Sequence, residues 1–208
     1  MSWLGIVDKI GYFLNTLIDP ATRAVYALLP IGSKESDPRN RKKLNSKDVK
    51  RKMVFEKVQS FLTQSKVNFN LHHHDPVVTV EQAKAIVPHL TVNLIKTIVF
   101  KIKDGPWILA GVNGPDRIHY KYLAEIFGIN RKLIRAVSAP DVETGLGFEI
   151  GGVGPFPVTS DVLVVLDESL MGLPHVFCGS GRNTVTVEIA PGDLAMAGQA
   201  KVAAIRKL

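Results

Sequence analysis

Residues 151–157 read Gly-Gly-Val-Gly-Pro-Phe-Pro, and neither a helix nor a strand can run through them. Glycine frees the backbone from the limits that regular elements rely on, and proline removes a donor. Such a run is an irregular connection stiffened by its prolines. Its backbone can come close to a ligand, aiming amide N–H groups at an oxyanion or phosphate and carbonyls at a hydroxyl or ammonium. An ordinary turn between strands has the same composition. The run fits neither the Walker phosphate loop nor the dinucleotide-binding fingerprint.

On both sides of this connection the local patterns are regular. Val54, Phe55, Val58, Phe61 and Leu62 have helical spacing, and residues 67–73 alternate as a strand does. Thr79 with Gln82 has the capping-box spacing for a helix through Val87, which Pro88 closes. Residues 95–102 and 107–112 read as a hairpin turned by Asp104-Gly105. A helix is expected over 116–127, stopped by Gly128, and a short one from Ser138, whose proline and acid follow the cap. Strands are expected at 162–166, 174–178 and 184–189, and a last helix from Pro191. Helices and strands alternate without a strict βαβ rhythm, which predicts a mixed α+β domain with a curved sheet.

Charge divides the chain more sharply than hydrophobicity does. The net charge is +7, yet residues 1–52 hold 11 Lys/Arg against 5 Asp/Glu, while the rest holds 15 against 14. Within residues 34–52 there are 9 basic and 3 acidic side chains. We expect an amphipathic helical extension over 1–32, a basic linker or arm over 33–52, and a folded domain over 53–208. The arm offers Arg39, Arg41, Lys42, Lys43, Lys50, Arg51 and Lys52 to RNA phosphates; a solvated linker is the other reading. In the extension, Trp3, Leu4, Ile6, Val7, Ile10, Phe13, Leu14, Leu17 and Ile18 fall on one helical face. The opposite face is polar but not basic, which fits neither an anionic membrane surface nor a mitochondrial presequence. Docking remains: on a partner protein, on a second copy, or on its own domain. The apolar stretch at 24–31 is too short to cross a bilayer.

Three groups could carry chemistry. The first is the glycine-proline run itself. Lys96, at the head of an apolar strand, could serve as a fixed cation beside an oxyanion or a phosphate, although many strands simply begin on a surface lysine. The turn Gly179-Ser180-Gly181-Arg182 could floor a pocket, with Arg182 toward phosphate and Ser180 toward substrate. His72, His73 and His74 are consecutive, so on a strand they diverge and do not make a metal site. The single cysteine, Cys178, can form no internal disulfide, which suits a reducing cytoplasmic setting, with an organellar one also open.

The order of these segments resembles the YbaK/prolyl-tRNA-editing family. The resemblance is carried by Thr79-Val80-Glu81-Gln82-Ala83, Lys96-Thr97-Ile98-Val99-Phe100, the run from Gly147 through Phe156, Gly181, and Ala190-Pro191-Gly192-Asp193-Leu194. It implies a mixed, barrel-like sheet with flanking helices, and a metal-free, cofactor-free hydrolase that removes the amino acid from mischarged tRNA, often tRNA for proline. It makes Lys96 the functional lysine and Gly151 with Pro155 the ends of a Gly-x-x-x-Pro loop. Gly151, Gly152, Val153, Gly154 and Pro155 would then be catalytic, and Phe156, Gly179, Ser180, Gly181 and Arg182 would meet substrate. Aminoacyl-tRNA is the implied partner. A domain of this fold that binds tRNA or a synthetase without hydrolysis is the alternative.

The apolar stripe yields a test independent of the domain. Nine large apolar side chains are costly to leave in water, at ~25 cal/mol per Å² of apolar area. Replacing Ile10 and Leu14 with Asp is expected to change the assembly state or lower the melting temperature. Identical gel-filtration and melting profiles would count against docking.

Overall fold

The computed structural model describes residues 46–207. The first helix, α1 (Ser46–Gln64), buries Val54, Val58 and Leu62, four residues apart and so on one face. It begins well before the apolar pattern that announces it. Its first turns are polar and are held by tertiary partners: the Lys50 ammonium donates to the Thr144 carbonyl, and Arg51 Nε donates to Glu143 Oε1 at 3.0 Å. Hydrogen bonding to Glu143 raises the Arg51 pKa further.

After α1 come β1 (Phe69–His73) and α2 (Val80–Ile86). The capping box read from the sequence is present: Thr79 Oγ1 accepts the Gln82 amide at 3.2 Å, and Gln82 Oε1 accepts the Thr79 amide at 3.3 Å. β2 (Ile95–Ile102) and β3 (Trp107–Asn113) form the expected antiparallel hairpin, with Asp104 in the left-handed conformation. The next helix, α3 (Tyr120–Ile126), is shorter than the pattern over 116–127 suggests. Ile118 pairs with Arg206, and the His119 amide donates to the Ile205 carbonyl at 2.7 Å. This tail pairs with residues 117–119, and the helix starts only where it lets go.

β4 (Ile134–Ala136) is followed by α4 (Ala139–Leu146), capped by Ser138 with Pro140 in its first turn. The glycine-proline connection comes next, then β5 (Val162–Asp167), β6 (Val176–Gly179), β7 (Val185–Ile189), α5 (Pro191–Ala197) and β8 (Lys201–Ala203). The strands make a five-stranded mixed sheet, ordered β4-β2-β3-β5-β8, and a three-stranded sheet, ordered β1-β7-β6. β3/β5 and β5/β8 are parallel; β2 runs antiparallel to both β3 and β4. The fold is thus mixed α+β with flanking helices, as expected, and among the described residues its strands make two sheets. The sheets meet where β2 begins: the Phe177 amide donates to the Asn93 carbonyl at 3.1 Å, and Leu94 bridges Phe177.

The larger sheet is buried on both faces. Leu109 points into a core shared with Val54, Val58, Leu62, Phe148 and Leu194, whereas Ile108, Ala110 and Val112 point into a second core with Leu123 and Ile205. Burial on both faces is what parallel pairing in the middle of a sheet requires. A smaller cluster of Val77, Ala83, Val87, Leu90 and Phe177 lies beneath α2.

One carboxylate fastens the C-terminal tail to this frame. Asp167 is 1% exposed, and it accepts the Ile205 and Arg206 amides at 2.8 and 2.9 Å, together with the Ser169 amide at 3.0 Å. Burial pushes its pKa up, but these hydrogen bonds outweigh burial and leave it below the ordinary carboxylate value. Its stabilising contribution is therefore complete above the unfolded pKa, near 3.9, and is lost as pH falls through the lower folded value. Asp167→Ala is expected to cost about 3 kcal/mol, because it strands buried donors, and to flatten the acid limb of stability. Denaturant melts from pH 7 to pH 3 check both.

Candidate functional site

The glycine-proline connection is strapped against the turn between β6 and β7. The Glu149 amide donates to the Gly181 carbonyl at 3.0 Å, the Gly181 amide to the Gly152 carbonyl at 2.8 Å, and the Gly152 amide back to the Glu149 carbonyl at 2.9 Å. The Glu149 carboxylate accepts the Asn183 amide at 2.9 Å. Two glycines are required by the tightness of the crossing. A Cβ on Gly154 would stand 1.8 Å from the Gly179 carbonyl oxygen, and one on Gly151, whose φ is +89°, would stand 2.4 Å from the Val77 oxygen. The loop's shape is thus enforced from two sides, by the 179–182 turn and by the segment entering α2.

Between loop, turn, α2 and the start of β2 lies a cavity of about 290 Å³. Most of its wall is apolar, from Val77, Val87, Leu90, Leu94, Ile95 and Ile150 among others; the polar groups are few. Lys96, Gly151, Val153, Gly179 and Arg182, all expected from the sequence, line it together. The Lys96 ammonium donates to the Asp116 carbonyl at 2.5 Å, leaving two further N–H groups for a ligand. Burial lowers its pKa, Asp116 works against that, and Arg117 adds to it. Among the described residues the amides of Gly151 and Val153 have no protein acceptor.

Other expected site residues sit behind the cavity wall. Gly152, Gly154 and Gly181 belong to the strapping, and neither they nor Pro155 are lining residues. Phe156 is 1% exposed, with its ring edge-on to Phe61, so its side chain packs the core and does not face a substrate. Ser180 is wholly buried, and its hydroxyl donates to the Val185 carbonyl at 2.7 Å. Cys178 is buried too, and burial pushes its thiol pKa up. In the arm, Lys50 and Arg51 are engaged with α4, and exposed Lys52 lies 3.7 Å from Glu56. Arg39, Arg41, Lys42, Lys43 and the 1–32 extension lie outside the described residues.

Sequence reasoning passed over one pair. His74 and Thr186 both line the cavity, with His74 Nε2 2.9 Å from Thr186 Oγ1 and Nδ1 2.7 Å from the Asp75 carbonyl. A carbonyl only accepts, so in the neutral ring Nδ1 carries the hydrogen and Nε2 accepts from the threonine hydroxyl. Strand alternation could have separated this histidine from His73, since it puts positions 72 and 74 on one side.

A small, mostly apolar cavity lined by a partly buried lysine and by loop residues whose amides have no protein acceptor is chemically suited to an anionic or carbonyl-bearing group. The chain belongs to the aminoacyl-tRNA editing domain family, whose model matches residues 74–197. It is 28% identical over 151 residues to the uncharacterized protein YwhH of Bacillus subtilis (strain 168), covering 72% of this chain and 94% of that protein. It is also 28% identical over 138 residues to the prolyl-tRNA editing protein ProX of Acetoanaerobium sticklandii, covering 64% of this chain and 83% of ProX. A crystal structure described as a candidate trans-editing enzyme for prolyl tRNA synthetase shares the fold. Its TM-score is 0.62 at 24% identity, over 74% of this chain and 98% of the other.

The close approach at Gly154 gives a direct test of the strapping. Gly154→Ala places a methyl group against backbone that cannot yield, so it is expected to unfold the domain or lower its melting temperature by many degrees. At Gly172 an added Cβ meets nothing within 4 Å, and Gly172→Ala is expected to be nearly neutral. Thermal melts of the two variants decide it.

Proposed function

We propose that this chain is an aminoacyl-tRNA deacylase that hydrolyses the ester of mischarged tRNA in trans, with tRNA for proline as its first substrate. The observation that carries this reading is the cavity in which Lys96 and the unengaged amides of Gly151 and Val153 share one wall space. Its volume lies at the lower end of the range of about 300–1,000 Å³ usual for ligand sites. That suits an aminoacyl group with its ribose better than a whole nucleotide.

In the reaction, water adds to the ester carbonyl carbon and the carbonyl oxygen takes up negative charge. The Gly151 and Val153 amides are the donors placed to receive that oxygen, and one such donor lowers the barrier by about 3 kcal/mol. The carbon–oxygen bond to the ribose then breaks, the ribose oxygen takes a proton, and the amino acid leaves as a carboxylate. Lys96 holds the terminal phosphate or the developing charge, using the N–H groups not given to Asp116. No protein nucleophile is needed. Cys178 is buried with a raised pKa, and the Ser180 hydroxyl is spent on Val185. The neighbouring ribose hydroxyl is the group that orients the water.

A panel of alanyl-, cysteinyl- and seryl-tRNA for proline tests the activity. Lys96→Ala is expected to lower turnover at least a hundredfold with the melting temperature retained, and Lys96→Arg separates simple phosphate attraction from a need for a positioned ammonium. Chelator is expected to leave the rate unchanged. Full activity in Lys96→Ala would move the site elsewhere. An inactive wild type that still binds tRNA would make the chain a binding module.

A further inference from the structure

The C-terminal tail brings a second set of cations to the edge of the lysine's surroundings. The antiparallel bridge between Ile118 and Arg206 continues into a bond from the Lys207 amide to the Arg117 carbonyl at 2.6 Å. Ile118 and Ile205 are buried, so the paired segments leave Arg117, Arg206 and Lys207 at the surface. Arg206 Nη1 lies 4.0 Å from the Asp116 carboxylate, and the backbone carbonyl of the same Asp116 holds the Lys96 ammonium. One carboxylate thus stands among several cations. Among the described residues neither Arg117 nor Lys207 has an ion-pair partner. The Arg117 charge is close enough to help burial depress the Lys96 pKa, which ties this group electrostatically to the cavity.

An aromatic face follows along the chain from these cations, where the His119 amide donates to the carbonyl of Ile205, the neighbour of Arg206, at 2.7 Å. His119 caps α3, its Nδ1 accepting the Tyr122 amide at 3.4 Å, and the two rings lie 4.0 Å apart at 43°. Tyr122 is 42% exposed, unlike the buried aromatic rings of the cores. Cations next to an exposed ring are what an unpaired nucleic-acid strand needs, phosphates on the charges and a base on the ring. A duplex or an acidic peptide would use the charges and leave the ring idle.

We propose that the surface made by Arg117, Arg206, Lys207 and Tyr122 receives the single-stranded 3′ end of tRNA, whose terminal ester then enters the cavity past Lys96. The choice of tRNA as occupant rests on the function proposed above. The surface is held in place by the Asp167 anchor of the tail.

The experiment is a salt titration of binding by the full chain, with uncharged tRNA and with a short single-stranded RNA of the same 3′ sequence. Arg117→Ala combined with Arg206→Ala is expected to lower the log–log salt slope by about 0.7–0.9 for each phosphate that the protein no longer neutralises, and to weaken binding of both RNAs. Tyr122→Leu is expected to weaken the short RNA about tenfold, with Tyr122→Phe retaining its affinity. Melting curves confirm that each variant is folded, as substitutions at surface positions should be. A folded double variant with the wild-type slope, or Tyr122→Leu binding as tightly as wild type, overturns the proposal. Uncharged tRNA carries no aminoacyl ester. RNA binding through this surface by a chain that hydrolyses nothing would therefore overturn the deacylase reading alone.

Discussion

Two stretches of backbone cross so closely at Gly154 and Gly179 that no side chain can lie between them, and the cavity exists because of that crossing. The loop cannot lift away without breaking its bonds to the 179–183 turn, and it cannot sink further without meeting the Val77 carbonyl. Its conformation is therefore set by packing, and the Gly151 and Val153 amides keep their places before any ligand arrives. In the reaction proposed above, donors fixed in advance would need no reorganisation as charge develops. Phe156 contributes from behind, as a core ring against Phe61 that pins the loop's far end.

The second dependence is electrostatic. Lys96 is partly buried and would give up charge more readily there, yet the Asp116 carbonyl and carboxylate keep a negative potential beside it. Asp116 is positioned by the turn that closes on Asn113, its amide donating to that carbonyl at 2.9 Å, and by the residues just after it, 117–119, with which the C-terminal tail pairs. That tail is in turn fixed by the buried Asp167. A chain of hydrogen bonds thus leads from a core carboxylate to the polar wall of the cavity.

Much of the fold was legible because the deciding signals are local. The Thr79–Gln82 capping box, the Asp104-Gly105 turn and the Ser138 cap each act within a few residues, and each appears where the sequence puts it. The glycines at 151 and 154 were legible as a loop, though not which backbone they must pass. What the sequence hid is tertiary. Nothing near Ser46 announces a helix whose first turns lean on Glu143 and Thr144, and nothing near Asp116 announces that residues far down the chain will pair with 117–119. The turn's composition put Ser180 beside the substrate and the family resemblance put Phe156 there; the burial of both depends on partners elsewhere in the fold. His74 was missed for the same reason, since its significance lies in Thr186 on another strand.

The strand order has a consequence for how the molecule is made. β1 pairs with β7 in a register that joins Phe69 to Ile189, so its partner is synthesised 120 residues later. At ribosomal rates of about 5–20 residues per second, that is a wait of roughly 6–24 s. Throughout it β1 is an unmatched edge bearing Phe69 and Leu71, the kind of surface that chaperones bind and that aggregation recruits. The larger sheet can begin from the β2–β3 hairpin, whose pairing is local and fast. The cavity borrows walls from residues 74–97, from Ala139 and from 150–186, so it cannot form before the turn between β6 and β7 has been made.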